Sequence, residues 1–170
     1  EQELFGNRIL LVECDITNVE ALKGLLETPI DTVINCAASV KHFAADNSIE
    51  KVNVGGVRNL ISFCLEKQIM FIQASTMSVQ EVAFQDSLPE KTPDEHTLFF
   101  GQDLSNKYVY SKFLSDREIL EAAATKGLHA KIMRYGNLAA RHRDGEFQIN
   151  SSSNSAMGNL RAYAALKCAP

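Results

Sequence analysis

Tyr108 and Lys112 stand four residues apart in the stretch Asn106-Lys107-Tyr108-Val109-Tyr110-Ser111-Lys112, a spacing that sets a phenol and an ammonium on one face of a helix. An ammonium one turn from a phenol stabilises phenolate, and so makes the hydroxyl a better proton donor to a carbonyl under reduction. A solvated helix face can carry the same pair. The spacing therefore acquires meaning only from the elements that position it.

Those elements alternate between strand and helix. Ile9-Leu10-Leu11-Val12 is a continuous apolar run of the kind expected of a strand covered on both faces, with Asp15 following its C-terminal end. Thr17-Asn18-Val19-Glu20 has the form of a capping box, and Val19, Leu22, Leu25 and Leu26 follow at helical spacing up to Pro29. Thr32-Val33-Ile34-Asn35 reads as the next strand and runs into Ala37 and Ala38, whose small side chains let a ligand approach the backbone. Asp46 or Asn47 can cap a helix through Ile49, Val52, Leu60 and Phe63. Gly55 and Gly56 interrupt it at roughly 1 kcal/mol each relative to alanine, so close packing against a neighbour is expected there.

Met70-Phe71-Ile72-Gln73-Ala74 is a third strand. It delivers Ser75 and Thr76 to the end where open α/β sheets bind ligands. Residues 80 to 105, with Pro89 and Pro93, read as one long loop. The Tyr108 helix runs to about Lys126 with Gly127 as its stop, and Ala130-Lys131-Ile132-Met133-Arg134 is a fourth strand. Residues 140 to 155 are polar and loop-like, and Leu160, Tyr163, Ala164 and Leu166 mark a short last helix. The alternation predicts an α/β, doubly wound parallel sheet in one domain spanning residues 1–170.

Composition excludes several classes. The chain has 170 residues, 45% hydrophobic, a net charge of -4, and its 17 basic residues are scattered. No stripe of positive charge marks a nucleic-acid or anionic-membrane surface. No apolar run is long enough for a bilayer span and no basic-then-apolar leader opens the chain, so a soluble, cytoplasmic protein is expected. Cys14, Cys36, Cys64 and Cys168 show no C-x-x-C spacing, and the first three sit in or beside apolar segments, as reduced, buried thiols would. His42, His96, His129 and His142 are equally dispersed, and no metal is expected. The nine glycines contain no G-x-G, so the turn on which a dinucleotide's pyrophosphate normally rests is missing after the first strand.

Taken together, Asp15-Ile16, Asn35-Cys36-Ala37-Ala38, Asn53-Val54-Gly55-Gly56, Ser75-Thr76, the Tyr108/Lys112 pair and Arg134-Tyr135-Gly136-Asn137 resemble the extended short-chain dehydrogenase/reductases, in that family's order. Within it the chain is most similar to the thioester reductase domains that end nonribosomal peptide synthetases, polyketide synthases and carboxylic acid reductases. That closer likeness rests on Ser39-Val40-Lys41-His42-Phe43, on Ser75-Thr76-Met77-Ser78-Val79 and on the stretch from Arg141 to Asn154. The resemblance implies a Rossmann-like domain whose first strand, glycine-rich loop and second strand are lacking. It further implies Tyr108 as general acid, Lys112 lowering its pKa and holding the nicotinamide ribose, and Thr76 donating to the developing oxyanion. Asp15 and Ile16 match the adenine segment, Ala37 and Ala38 the segment along the cofactor, and Gly136 and Asn137 the turn beside the carboxamide. Tyr135 stands where the wider family has proline.

NADPH, or NADH, is the implied cofactor, and a phosphopantetheinyl carrier protein bearing an acyl or peptidyl thioester the implied partner. His42 and Arg141 are candidate substrate contacts, although a loop histidine and an exposed arginine are also what solvated loops carry. Asn53 either reaches across the cofactor cleft or caps a neighbouring loop, and Thr76 either donates to substrate or satisfies backbone groups. Two other readings share the landmarks: a nucleotide-sugar epimerase or dehydratase, and a noncatalytic fragment that binds no dinucleotide. The family's strand order, 3-2-1-4-5-6, leads to one structural expectation. The Ile9 strand should pair directly with the Thr32 strand, or the exposed sheet edge should pair with another copy.

Overall fold

The computed structural model describes residues 8–40, 46–80, 94–95, 97–149 and 151–168. Their contacts form two compact units, residues 1–134 and 135–170. His42, Pro89 and Pro93 lie outside the described residues.

Three parallel strands make one sheet in the order β1-β2-β3: β1 Thr32–Asn35, β2 Met70–Thr76 and β3 Ala130–Tyr135. The arrangement is Rossmann-like. β1 sets Val33 opposite Phe71 and Asn35 opposite Gln73, and alternation then sends Phe71, Gln73 and Ser75 of β2 to the buried side. Asn35 and Gln73 are buried amides, and Asn35 Nδ2 donates to Gln73 Oε1 at 2.9 Å, so each gains a partner across the strands.

The helices supply the rest of the core. α1 (Val19–Lys23), α3 (Val57–Lys67) and α4 (Lys107–Lys126) contribute Leu22, Val57, Leu60, Ile61, Phe63, Cys64, Ile119 and Ala122 to a cluster around Phe71. Removing side chains of this size from water contributes roughly 1.5–3 kcal/mol each for the large apolar ones. Burial also pushes the Cys64 thiol up to about 11. Of the three cysteines expected to be buried, Cys64 alone is; Cys14 is half-buried and Cys36 exposed.

Local chemistry fixes the helix ends. α4 begins where Asn106 Oδ1 accepts from the Tyr108 and Val109 amides at 3.0 and 3.2 Å, and it stops at Gly127, whose φ of 72° is left-handed. α1 is capped by Asn18 Oδ1, which accepts from Glu20 N and Ala21 N, and not by Thr17. Before α3, a short α2 (Ser48–Glu50) continues into a π-helical turn, Lys51–Gly56. Asp46 Oδ1 takes the Ser48 amide at its start, at 3.2 Å. In the second unit, α5 (Ser155–Leu166) is capped by Asn154 Oδ1 accepting from Met157 N at 3.0 Å. No described helix is long and apolar enough to cross a membrane.

The Ile9–Val12 run departs from expectation. It is not a strand of the sheet, and Leu10 and Leu11 are 77% and 78% exposed. β1 pairs with β2 and not with this run, so the direct pairing of the Ile9 and Thr32 segments does not form. Pairing is confined to a single bridge at Ile9, and an apolar run becomes a strand only when something covers it and continues the pairing. The other face of the sheet is open too, with Ile34 65% exposed.

The glycine pair behaves unequally. A Cβ on Gly56 would come within 2.6 Å of Ile16 Cδ1, whereas one on Gly55 would meet only the Glu50 carbonyl at 4.0 Å. Gly56→Ala is therefore expected to destabilise the fold by about 1–3 kcal/mol through overpacking, and Gly55→Ala to be neutral or slightly stabilising. Thermal unfolding of both variants checks this, and equal melting points for the two would contradict it.

Candidate functional site

Three chain segments converge on the buried polar face of α4. Along that helix Ser111, Lys112, Ser115 and Asp116 are all buried, with Tyr108 half-buried one turn before Lys112. Four polar residues on a face that would ordinarily be apolar require partners, because an unpaired buried polar group costs about 1–3 kcal/mol.

The π-helical turn and the strand ends provide them. Asn53 Nδ2 donates to Ser111 Oγ and to the Ser39 carbonyl, both at 2.9 Å, while its Oδ1 accepts from Ser39 N at 2.7 Å. Ser115 Oγ donates to the Asn53 carbonyl. Both N–H donors of Asn53 are thereby engaged, so its amide clamps the loop after β1 to α4. Lys112 Nζ donates to the Ala74 carbonyl at 2.6 Å, which ties it to β2 two residues before Thr76. Burial lowers the pKa of Lys112, with Asp116 and then Cys36 acting to raise it.

Thr76 ends β2 half-buried, and its Oγ1 accepts from Ser78 N at 3.2 Å. A hydroxyl that accepts in this way still has its own proton to donate. Ser75, its neighbour, is buried toward Asp116. Burial also raises the Tyr108 phenol, the reverse of the lowering expected from Lys112. Desolvation is the cause, and it favours the protonated phenol.

The other candidates are placed as follows. Asp15 is exposed, and its Oδ1 accepts from Thr17 N at 2.8 Å; that backbone bond holds its carboxyl below the usual range. Ile16 packs on Gly56, and its carbonyl accepts from Asn59 Nδ2 at 3.0 Å, so the Asp15–Ile16 turn is pinned to the start of α3. Ala37 N donates to Asn35 Oδ1 at 3.0 Å, fixing the backbone where Ala37 and Ala38 leave β1. Gly136, Asn137 and Arg141 belong to the second unit and are exposed. There Arg141 is bound by its own loop, to Asp144 at 2.7 Å and Glu146 at 2.6 Å.

One contributor has no sequence signal at all. Gln102, buried in the loop before α4, donates to the Val79 and Leu98 carbonyls at 2.8 Å and accepts from Phe100 N at 2.9 Å. It joins that loop to the 3-10 turn Met77–Gln80 that follows Thr76. Asn35, Ser111, Ser115 and Asp116 were legible in principle, as polar residues in register with apolar ones.

Residues 2–163 match the model of the NAD dependent epimerase/dehydratase family. The chain belongs to that family. Among solved structures it is similar to a thiolation-reductase di-domain from an archaeal non-ribosomal peptide synthetase, at 46% identity and a TM-score of 0.87, over 98% of this chain and 45% of that one. It is also similar to the reductase domain of the aureusimine biosynthetic cluster, at 29% identity and a TM-score of 0.66, over 92% of this chain and 38% of that one. The polyketide synthase-nonribosomal peptide synthetase phmA of Phaeosphaeria nodorum is 32% identical over 130 residues, which is 72% of this chain and 3% of that protein. The chain thus spans less than half the length of each.

Membership implies a nicotinamide dinucleotide. Ala37 and Ala38 carry small side chains on a backbone fixed by Asn35, and an ammonium such as that of Lys112 has donors beyond the one given to Ala74. These residues fit the nucleoside portions of such a cofactor. A pyrophosphate cradle is not among them, since the sequence holds no G-x-G turn.

Asn53→Ala removes three hydrogen bonds, two to the half-buried backbone of Ser39 and one to the buried Ser111. It is expected to cost about 2 kcal/mol or more in urea unfolding, and a loss below about 0.5 kcal/mol would mean that water replaces the amide.

Proposed function

We propose that the chain is part of a reductase that releases a carrier-protein-bound acyl or peptidyl thioester as an aldehyde, or as an alcohol after a second round. The observation that carries this reading is the 46% identity to a thiolation-reductase di-domain across 98% of the chain.

In this reading NADPH, or NADH, supplies the hydride when bound. Tyr108 donates its proton to the thioester carbonyl oxygen, Thr76 donates a hydrogen bond to the same oxygen, and collapse of the resulting hemithioacetal frees the carrier's thiol. A phenol is protonated at neutral pH and burial favours that form further, while Lys112 compensates the phenolate as the proton leaves. Asp15, Ile16, Ala37 and Ala38 line the cofactor side, Asn53 holds that loop in place, and Gly136 and Asn137 contribute the carboxamide turn. His42 and Arg141 are assigned to the substrate arm. A nucleotide-sugar epimerase or dehydratase is the second reading, supported by the family match alone.

The test is NADPH consumption by the full-length parent protein with an acyl-phosphopantetheine thioester. Tyr108→Phe should lower kcat by about 10²–10⁴ and Thr76→Ala by about 10²–10³, with folding intact. Turnover of a nucleotide sugar in place of the thioester, or an undiminished Tyr108→Phe rate, would overturn the reading.

Self-association is proposed alongside it. β1 lies at the edge of the described sheet, and an edge strand's backbone is what a second copy's strand would pair with, beside the exposed Ile34 side chain. Sedimentation of this chain should show a concentration-dependent dimer that Ile34→Lys weakens, and a monomer at all concentrations would remove the proposal.

A further inference from the structure

Beneath the Tyr108 turn, Asp116 is completely buried and follows Lys112 by four residues on the same face of α4. Its Oδ2 accepts from Arg134 Nε at 3.0 Å, and Arg134 reaches it from β3. Lys112, 3% exposed, makes no direct ion pair with Asp116 and donates instead to the Ala74 carbonyl of β2 at 2.6 Å. Ser75, the next residue along β2, also faces Asp116. Yet neither Ser75 Oγ nor Asp116 Oδ1 makes a hydrogen bond of standard geometry among the described residues. One buried carboxylate thus stands between two cations, bonded to one and a helical turn from the other.

We propose that Asp116 is the positioning residue of Lys112. Its carboxylate holds the ammonium charged and seated against Ala74, and Arg134 sets how much of that negative charge Lys112 feels. Charges in this low-dielectric setting interact far more strongly than surface pairs. Among the described residues, the groups around Lys112 are Asp116 and Tyr108 from α4, the Ala74 carbonyl from β2, Cys36 from the end of β1, and Arg134 from β3 through Asp116. Burial drives Lys112 toward its neutral form and Asp116 likewise. Asp116 heads the influences that oppose this at Lys112, while Ser75, Arg134 and Lys112 oppose it at Asp116.

The two substitutions have opposite signs. Asp116→Asn keeps the shape and an acceptor for Arg134 but removes the negative charge, so Lys112 should release its proton at lower pH. Arg134→Gln leaves the carboxylate unshared, so Lys112 should hold its proton to higher pH. A merely structural role for Asp116 would not produce opposite displacements.

Carbon-13 NMR titration of the Lys112 Cε resonance in this chain, assigned by its loss in Lys112→Arg, reads the effect without cofactor or substrate. The catalytic consequence rests on the reductase reading above, but the titration does not, so the two can fail separately. The midpoint should fall by about one pH unit or more in Asp116→Asn and rise in Arg134→Gln, with cooperative melting confirming the fold. An unchanged midpoint in Asp116→Asn, or displacement of both variants in the same direction, overturns the proposal. Should Asp116→Asn not fold, Arg134→Gln decides alone, and a midpoint that does not rise refutes it.

Discussion

The hydrogen bonds between Asn53 and its three partners, Ser39 N, Ser39 O and Ser111 Oγ, are the constraint on which this arrangement depends. A helix that buries two serines, a lysine and an aspartate would be unstable against an apolar neighbour, because each group leaves water without compensation. α4 meets instead a π-helical turn and a strand end that present matching amides and carbonyls. Satisfied networks of this kind strengthen in low dielectric and define one packing in place of several. The loop after β1, the start of α3 and the face of α4 are therefore fixed relative to one another by one side chain.

That rigidity has an electrostatic counterpart. Tyr108, Lys112 and Asp116 lie on consecutive turns, and burial displaces each toward its uncharged form. Opposed charge holds Lys112 and Asp116 back from neutrality, while the phenol carries its proton by default. In the proposed role of acid, Tyr108 would need help only as it ionises, and that is when the Lys112 ammonium would act. Thr76 adds a hydroxyl whose acceptor side is engaged by Ser78, which orients the proton-bearing side.

Legibility in the sequence followed the range of the interaction concerned. β1, β2 and α4 were readable nearly to the residue, because short apolar runs, helical periodicity and the Gly127 stop are local chemistry. The Ile9–Val12 run was not, because its fate depends on a neighbour that composition does not reveal. Asn18 displaced Thr17 as the α1 cap because two adjacent side chains could each do the work, and only backbone geometry chooses between them. The glycine pair signalled close packing, but Ile16 sits against Gly56 alone. Within the candidate site, Tyr108, Lys112 and Thr76 announced themselves by type and spacing. Asp116, Ser111 and Ser115 did not, since a search for apolar periodicity passes over polar residues in the same register. Gln102 lies in a loop with no periodicity, so only the fold discloses it.

The π-helical turn Lys51–Gly56 carries one residue more than the α-helices on either side would accommodate over the same rise. Each residue advances an α-helix by about 100°, so losing one here would rotate the Asn53 side relative to the Val57, Leu60, Ile61 and Cys64 face by that angle. Either the amide would leave Ser111 or the apolar face would leave Phe71. The segment should consequently tolerate changes of residue type at its exposed positions far better than any change in length. Insertions and deletions between residues 51 and 56 would be purged even where every remaining side chain is retained.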